Sequence, residues 1–126
     1  GLTYETHVGR TIRDWITRGE IIGTLYEGQW FYFEDNNGYG YCQTDILLET
    51  NSFIFILECK LTYTSWAWQQ LRRLYKPVVE RTFNKPSITI QVCKNIHYIP
   101  GGMIESLAQV MDNPKDGLLT WHFLGR

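Results

Sequence analysis

The sequence lacks any apolar run near the roughly 20 residues needed to cross a bilayer. It also lacks a stretch that reads as a signal peptide, so neither membrane insertion nor secretion is expected. Cysteine is sparse: Cys42, Cys59 and Cys93 form an odd set without the paired spacings of a zinc or iron–sulfur site. Buried, reduced thiols in a cytoplasmic setting are the expectation. The three histidines, His7, His97 and His122, are scattered and form no ligand pattern, and only His7 lies near the residues singled out below. A dominant charge is missing too, since 12 Lys and Arg stand against 13 Asp and Glu for a net charge of −1. Any nucleic-acid binding must therefore come from a local basic patch. There are no repeats, low-complexity tracts or linkers, and Gly101-Gly102 is too little to be a phosphate loop.

What is present is a hydrophobic content of 44% with 15% aromatics. A chain of 126 residues fits one domain, 1–126, and is long enough to bury about two-thirds of the surface its unfolded form exposes.

Tyr4, Val8, Ile12, Trp15 and Ile16 recur at helical spacing and predict a first helix over Thr3–Arg18, capped by Thr3 and stopped by Gly19, with Glu5 and His7 in its first turn. Ile21–Tyr26 and Gln29–Glu34 read as strands broken at Glu27 and Gly28. Asn36, Asn37 and Gly38 supply the positive backbone angles of a hairpin turn, after which the chain runs back over Tyr39–Glu49. A second helix is predicted from Ser65 to about Phe83, with the stripe Ala67, Leu71, Leu74 and Val78, and Trp68, Tyr75 and Val79 beside it, interrupted near Pro77. Its other face gathers Gln69, Gln70, Arg72, Arg73, Lys76 and Arg81, the densest positive cluster in the chain. Ser87–Lys94 alternates as a strand. Met103, Ile104, Leu107, Val110 and Met111 mark a short third helix, and Leu118–Leu124 a last strand.

Within this order, Ile46–Leu48 and Phe53–Leu57 are apolar runs separated by Glu49, Thr50, Asn51 and Ser52, which predicts a tight hairpin centred near Asn51 and Ser52. Antiparallel pairing then sets Asp45 beside Glu58, within a residue or two. Glu58 and Lys60, two apart on one strand, leave the same face. Two carboxylates and an ammonium thus gather at one end of an apolar hairpin, and a divalent cation is the partner that suits two carboxylates. Mg²⁺ takes one or two carboxylates plus phosphate oxygens and water, which fits a phosphodiester substrate, and a lysine beside it orients the attacking water. Arg72, Arg73 and Lys76 would contact phosphates without reading sequence.

Asp45, twelve further residues, then Glu58-Cys59-Lys60, after a helix bearing Glu5 and before a helix bearing glutamines and arginines, resembles the PD-(D/E)XK nuclease superfamily. That superfamily includes type II restriction enzymes, archaeal Holliday-junction resolvases and RecB-like exonucleases. The resemblance covers Thr3 to about Lys94. It implies an α/β (α+β) restriction-endonuclease-like core: helix, three-stranded antiparallel meander, helix and strand, with a mixed central sheet flanked by helices. To this the chain adds an extra hairpin near Asn37 and a C-terminal helix and strand. Thr44 stands where the family often has proline. The resemblance also implies the backbone carbonyl of Cys59 as a metal ligand, and Glu5 as a catalytic acidic residue that helps hold a second ion or a metal-bound water. RecB-like members carry a glutamine and a tyrosine after the lysine strand. Gln69, Gln70 and Tyr75 lie in that region as nucleic-acid contacts, although their spacing differs from the usual four residues.

The expected activity is hydrolysis of duplex, single-stranded or branched DNA with Mg²⁺ or Mn²⁺. A homodimer is expected, since one site cuts one strand per binding event. The small size suits a phage or mobile element acting in the host cytoplasm. The rival readings are a non-catalytic nucleic-acid-binding or assembly module on the same fold, an RNA-directed nuclease, and an interaction protein using the aromatic residues from Trp30 to Phe33. Trp66 and Trp68 are further candidate nucleic-acid contacts. The plain structural alternative for Asp45, Glu58 and Lys60 is a salt bridge at the sheet rim, for Glu5 the favourable field at a helix N-terminus, and for the second helix a solvated face.

Overall fold

The structure is a computed structural model that describes residues 2–97 and 103–125; Gly101 and Gly102 lie outside them. Six strands form one mixed sheet in the order β1-β2-β3-β4-β6-β5. Helix α1 (Leu2–Thr17) leads into β1 (Thr24–Asp35), β2 (Gly38–Glu49) and β3 (Ile54–Thr62), which form an antiparallel meander. A helical crossover returns the chain to β4 (Ser87–Asn95), parallel to β3. Then β5 (Met103–Ile104), helix α4 (Leu107–Asp112) and β6 (Leu119–His122) complete the sheet, with β6 parallel to both β4 and β5. The fold is therefore α+β, a mixed sheet flanked by helices.

Strand alternation sorts the apolar residues into two cores. On one face Tyr4, Val8 and Ile12 of α1, with Leu107 and Val110 of α4, cover Ile46, Leu48, Phe55, Leu57, Ile90 and Trp121. On the other face Trp68, Leu71, Tyr75 and Val79 of the crossover cover Leu47, Ile54 and Ile56. Each fully buried Leu or Ile contributes about 1.5–3 kcal/mol of transfer free energy, and because β3 and β4 are covered on both faces, β3 opens with the continuous apolar run Ile54–Leu57, while β4 buries Ser87, Thr89 and Gln91 in alternation with Ile88, Ile90 and Val92.

Several expectations need correction. The first helix already includes Thr3 in its first turn, so Thr3 is not its cap; Gly19, at φ +78°, does stop it. The two short strands are one, β1, and the sequence break at Gly28 marks a change of phase. Tyr26 and Leu47 face the crossover core, yet so do Phe31 and Cys42, which strict alternation would send to opposite faces. Gly28, at φ +62°, takes the backbone turn that this shift requires, directly opposite Asp45 in the ladder. In the hairpin turn only Gly38 has a positive φ, and Asn37 instead donates its backbone N–H to Asp35 Oδ1.

The crossover is α2 (Ala67–Gln69), a π-helical segment (Gln70–Tyr75) and α3 (Lys76–Phe83). Pro77 has no N–H to close an α-turn, and the wider π-turn just before it absorbs the missing bond, with Lys76 N–H reaching the Leu71 carbonyl. The extra residue shifts the buried stripe to Trp68, Leu71, Tyr75 and Val79, leaving Leu74 and Val78 half-buried at its edge. Met103 and Ile104 belong to a strand. The third helix starts only at Leu107, where Ser106 and Gln109 cap it reciprocally. No helix among the described residues is long and apolar enough to cross a membrane.

Candidate active site at the β2–β3 divergence

The β2–β3 ladder runs from Glu49↔Ile54 to Ile46↔Leu57 and stops there. The next pair in that register is Asp45 and Glu58, the juxtaposition read from the hairpin. Beyond it the strands part: β2 continues toward the β1 hairpin, while β3 stays paired with β4 as far as Thr62↔Asn95. At the point of divergence a side chain replaces the backbone acceptor, as Cys59 N–H donates to Asp45 Oδ2 at 2.8 Å. That bond holds the carboxylate in place.

Glu58 is 4% exposed and in hydrogen-bonding contact with Asp45. Burial first, then this hydrogen bond and the negative charge of Asp45, push its carboxyl up to about 9, against a smaller opposing pull from Lys60. Glu5 is also raised, by partial burial and then by Asp45. Glu5, Asp45, Glu58 and Lys60 are thus one electrostatic group. Lys60 has no ion pair within 4 Å among the described residues, in contrast to Lys85 with Glu49 or Lys115 with Glu105, so the three charges do not form a rim salt bridge.

A cleft of about 330 Å³ opens at Asp45, lined by Glu5, Thr6, Glu27, Gly28, Gln43 and Thr44. Glu27 is held there by Arg13. Glu58 lies buried behind Asp45. Among the described residues no group of three or more His, Cys, Asp and Glu could cage a metal ion. What the site offers instead is the Asp45–Glu58 carboxyl pair, which could hold a single divalent cation only if phosphate oxygens and water completed its shell.

The other predicted residues divide. Gln69, Gln70 and Arg73 are exposed, as is Arg81. Arg72 is taken up by Asp116 and the Thr89 hydroxyl, and Lys76 by Glu80, the Ser87 carbonyl and Asp116, so both serve the fold as cross-links between the crossover and its neighbours. Tyr75 is 6% exposed and faces the carboxyl pair from below, where burial and then the charges of Glu58 and Asp45 raise its phenol. Its ring has no open face for a bound strand. Trp68 is likewise buried, its indole N–H donating to the Tyr63 hydroxyl, while Trp66 is exposed. His7, His97 and His122 remain outside the site; His122 Nε2 contacts the Lys94 carbonyl.

Sequence reasoning missed Gln91. It is fully buried, registers opposite Glu58 on β4, and grips Thr64 at both ends: Thr64 N–H donates to Oε1 and Gln91 Nε2 donates to the Thr64 carbonyl, each at 2.9 Å. This side chain pins the end of the lysine strand. Its signal was in the sequence: it is the longest of the polar residues Ser87, Thr89 and Gln91 that alternate with Ile88, Ile90 and Val92 along β4. Gln43 and Glu27 in the cleft were missed because their place depends on the kink at Gly28. In comparisons with family models, curated proteins and solved structures, no match to this chain is found.

Proposed function

We propose that the protein is a metal-dependent nuclease of the PD-(D/E)XK type that hydrolyses DNA phosphodiesters. The observation that carries this reading is the pairing of a buried Glu58 with Asp45 at the β2–β3 divergence, with Lys60 on the same strand face and in no ion pair among the described residues. A buried carboxyl pair without a cationic partner is costly to keep for stability alone, whereas it suits a site that exchanges a proton for a divalent cation.

Asp45 and Glu58 would hold Mg²⁺ or Mn²⁺, with the Cys59 carbonyl as a further donor and Glu5 as an outer acidic group. The bound ion supplies Lewis-acid polarisation of the phosphodiester and acidifies water. Cys59 N–H keeps Asp45 oriented. Lys60 places positive charge where the attacked phosphate gains negative charge, and orients the attacking water from the same strand face. Gln91 fixes the strand end that carries Lys60.

The test is digestion of duplex, single-stranded and branched DNA, and of RNA, with Mn²⁺ or EDTA. Metal-dependent cleavage that disappears in EDTA is the expected result. No cleavage of any substrate at several protein concentrations would overturn the reading in favour of a non-catalytic binding or assembly module, and cleavage of RNA alone would favour an RNA-directed enzyme.

A further inference from the structure

Past the kink at Gly28 the β1–β2 ribbon extends beyond the reach of α1, and one of its faces is aromatic. Trp30, Tyr32, Tyr39 and Tyr41 are between 58% and 71% exposed. Alternation puts them on the same side, opposite to Phe31, Phe33 and Cys42, which face the crossover core. Tyr32 stacks on Tyr39 with centroids 5.5 Å apart and planes 11° from parallel, and meets Tyr41 at 5.0 Å. No leucine, isoleucine, valine or methionine shares this face. Each ring keeps a polar edge for water, so the surface is built from π-faces rather than from an aliphatic patch.

The face also leads somewhere. Trp30 pairs in register with Gln43, and Gln43 lines the cleft at Asp45 together with Gly28, its Nε2 donating to the Gly28 carbonyl. A strand lying along the tyrosines therefore runs into the candidate active site. Tyr39 to Gln43 spans about 13 Å at strand rise, room for two or three extended nucleotides. Arg10 is exposed on α1 one turn from Thr6, which lines the same cleft, and by helical spacing its positive charge is offered to a phosphate passing there.

We infer that Trp30, Tyr32, Tyr39 and Tyr41 form a stacking platform for unpaired bases that feeds single-stranded nucleic acid into the cleft at Asp45. Stacking needs bases whose faces are open, and a duplex hides them, so the platform selects single-stranded segments, whether free or at a fork or flap. This rests on the nuclease reading for the chemistry but not for the binding.

The experiment is fluorescence anisotropy in EDTA with fluorescein-labelled oligothymidine and with a duplex of equal length. Oligothymidine should bind at least about tenfold tighter than the duplex, and Tyr39→Ala and Tyr41→Ala should each weaken it by about five- to tenfold or more, while Tyr41→Phe keeps the affinity. These side chains are exposed, so circular dichroism should show the wild-type fold in every variant. Equal binding of duplex, or alanine variants that bind oligothymidine as wild type does, overturns the inference. So does sedimentation showing a dimer that Tyr41→Ala dissolves, which would give the face to a second copy. A protein that binds oligothymidine through the tyrosines yet never cleaves with Mn²⁺ fails the nuclease reading alone. One that cleaves but whose binding ignores the tyrosines fails this inference alone.

Discussion

Asp45 reaches across the end of the β2–β3 ladder to accept the backbone N–H of Cys59 at 2.8 Å, and in doing so brings its carboxyl against that of Glu58. One side chain both terminates a strand pairing and builds the acidic pair, so what separates ligand from structural roles must be measured with substitutions that preserve shape.

Asp45→Asn keeps an oxygen for Cys59 N–H and removes the charge. It should lose cleavage by at least about a hundredfold and weaken Mn²⁺ binding by at least about tenfold. Lys60→Ala should retain Mn²⁺ affinity and still lose cleavage by about 10²–10⁴-fold. Isothermal titration with Mn²⁺ beside a cleavage assay separates the two, and equal Mn²⁺ affinity in Asp45→Asn and wild type would remove Asp45 from the ligand set.

Glu58 yields a pH prediction. Its carboxyl, pushed up to about 9 in the fold against 4.5 in the unfolded chain, keeps a proton at neutral pH that unfolding releases. Stability from this group is complete below about 4.5 and declines as pH rises toward about 9. Glu58→Gln is neutral in both states and escapes the decline. In EDTA its advantage over wild type by urea unfolding should be on the order of 4 kcal/mol larger at pH 8 than at pH 5. A gap of the same size at both pH values would contradict the assignment.

The same proton links to metal binding. An ion that takes its place should release about one proton, so Mn²⁺ affinity in wild type should rise between pH 6 and pH 8. Titrations in two buffers of different ionisation enthalpy report the proton directly, and a pH-independent affinity would exclude Glu58 as a ligand.

Neighbouring arginines should behave differently. Arg72→Ala breaks the contacts with Asp116 and Thr89 and should cost about 1 kcal/mol of stability. Arg73→Ala, on the exposed side, should leave stability within about 0.5 kcal/mol while reducing the salt dependence of DNA binding by about one unit of slope. Urea unfolding and anisotropy across a salt series check both, and the reverse pattern would place Arg72 at the nucleic acid.

Gln91→Leu should leave the Thr64 backbone groups without their partners, costing about 1–3 kcal/mol and speeding hydrogen exchange at the Thr64 amide. Cleavage should fall while Mn²⁺ affinity holds, because the loosened strand end carries Lys60 and not the carboxyl pair. Unchanged exchange at Thr64 would show that the grip on the strand does not depend on Gln91.

The sequence by itself determined the local matters: the amphipathic first helix, the position of the β2–β3 turn, and hence the register that sets Asp45 beside Glu58. Each follows from periods of 3.6 and 2 and from turn residues acting within a few positions. The break at Gly28 and the interruption at Pro77 were legible as places, since glycine and proline mark backbone exceptions, but not in their form. Only the tertiary structure decided that form: a phase shift that turns the aromatic face outward, and a π-turn that buries Tyr75 beneath the carboxyl pair while drawing Arg72 and Lys76 into internal contacts. It also decided that Glu58 is buried and shares hydrogen bonding with Asp45, and that Gln91 holds the lysine strand. Burial and cross-strand pairing depend on residues distant in the chain, and no local pattern carries that information.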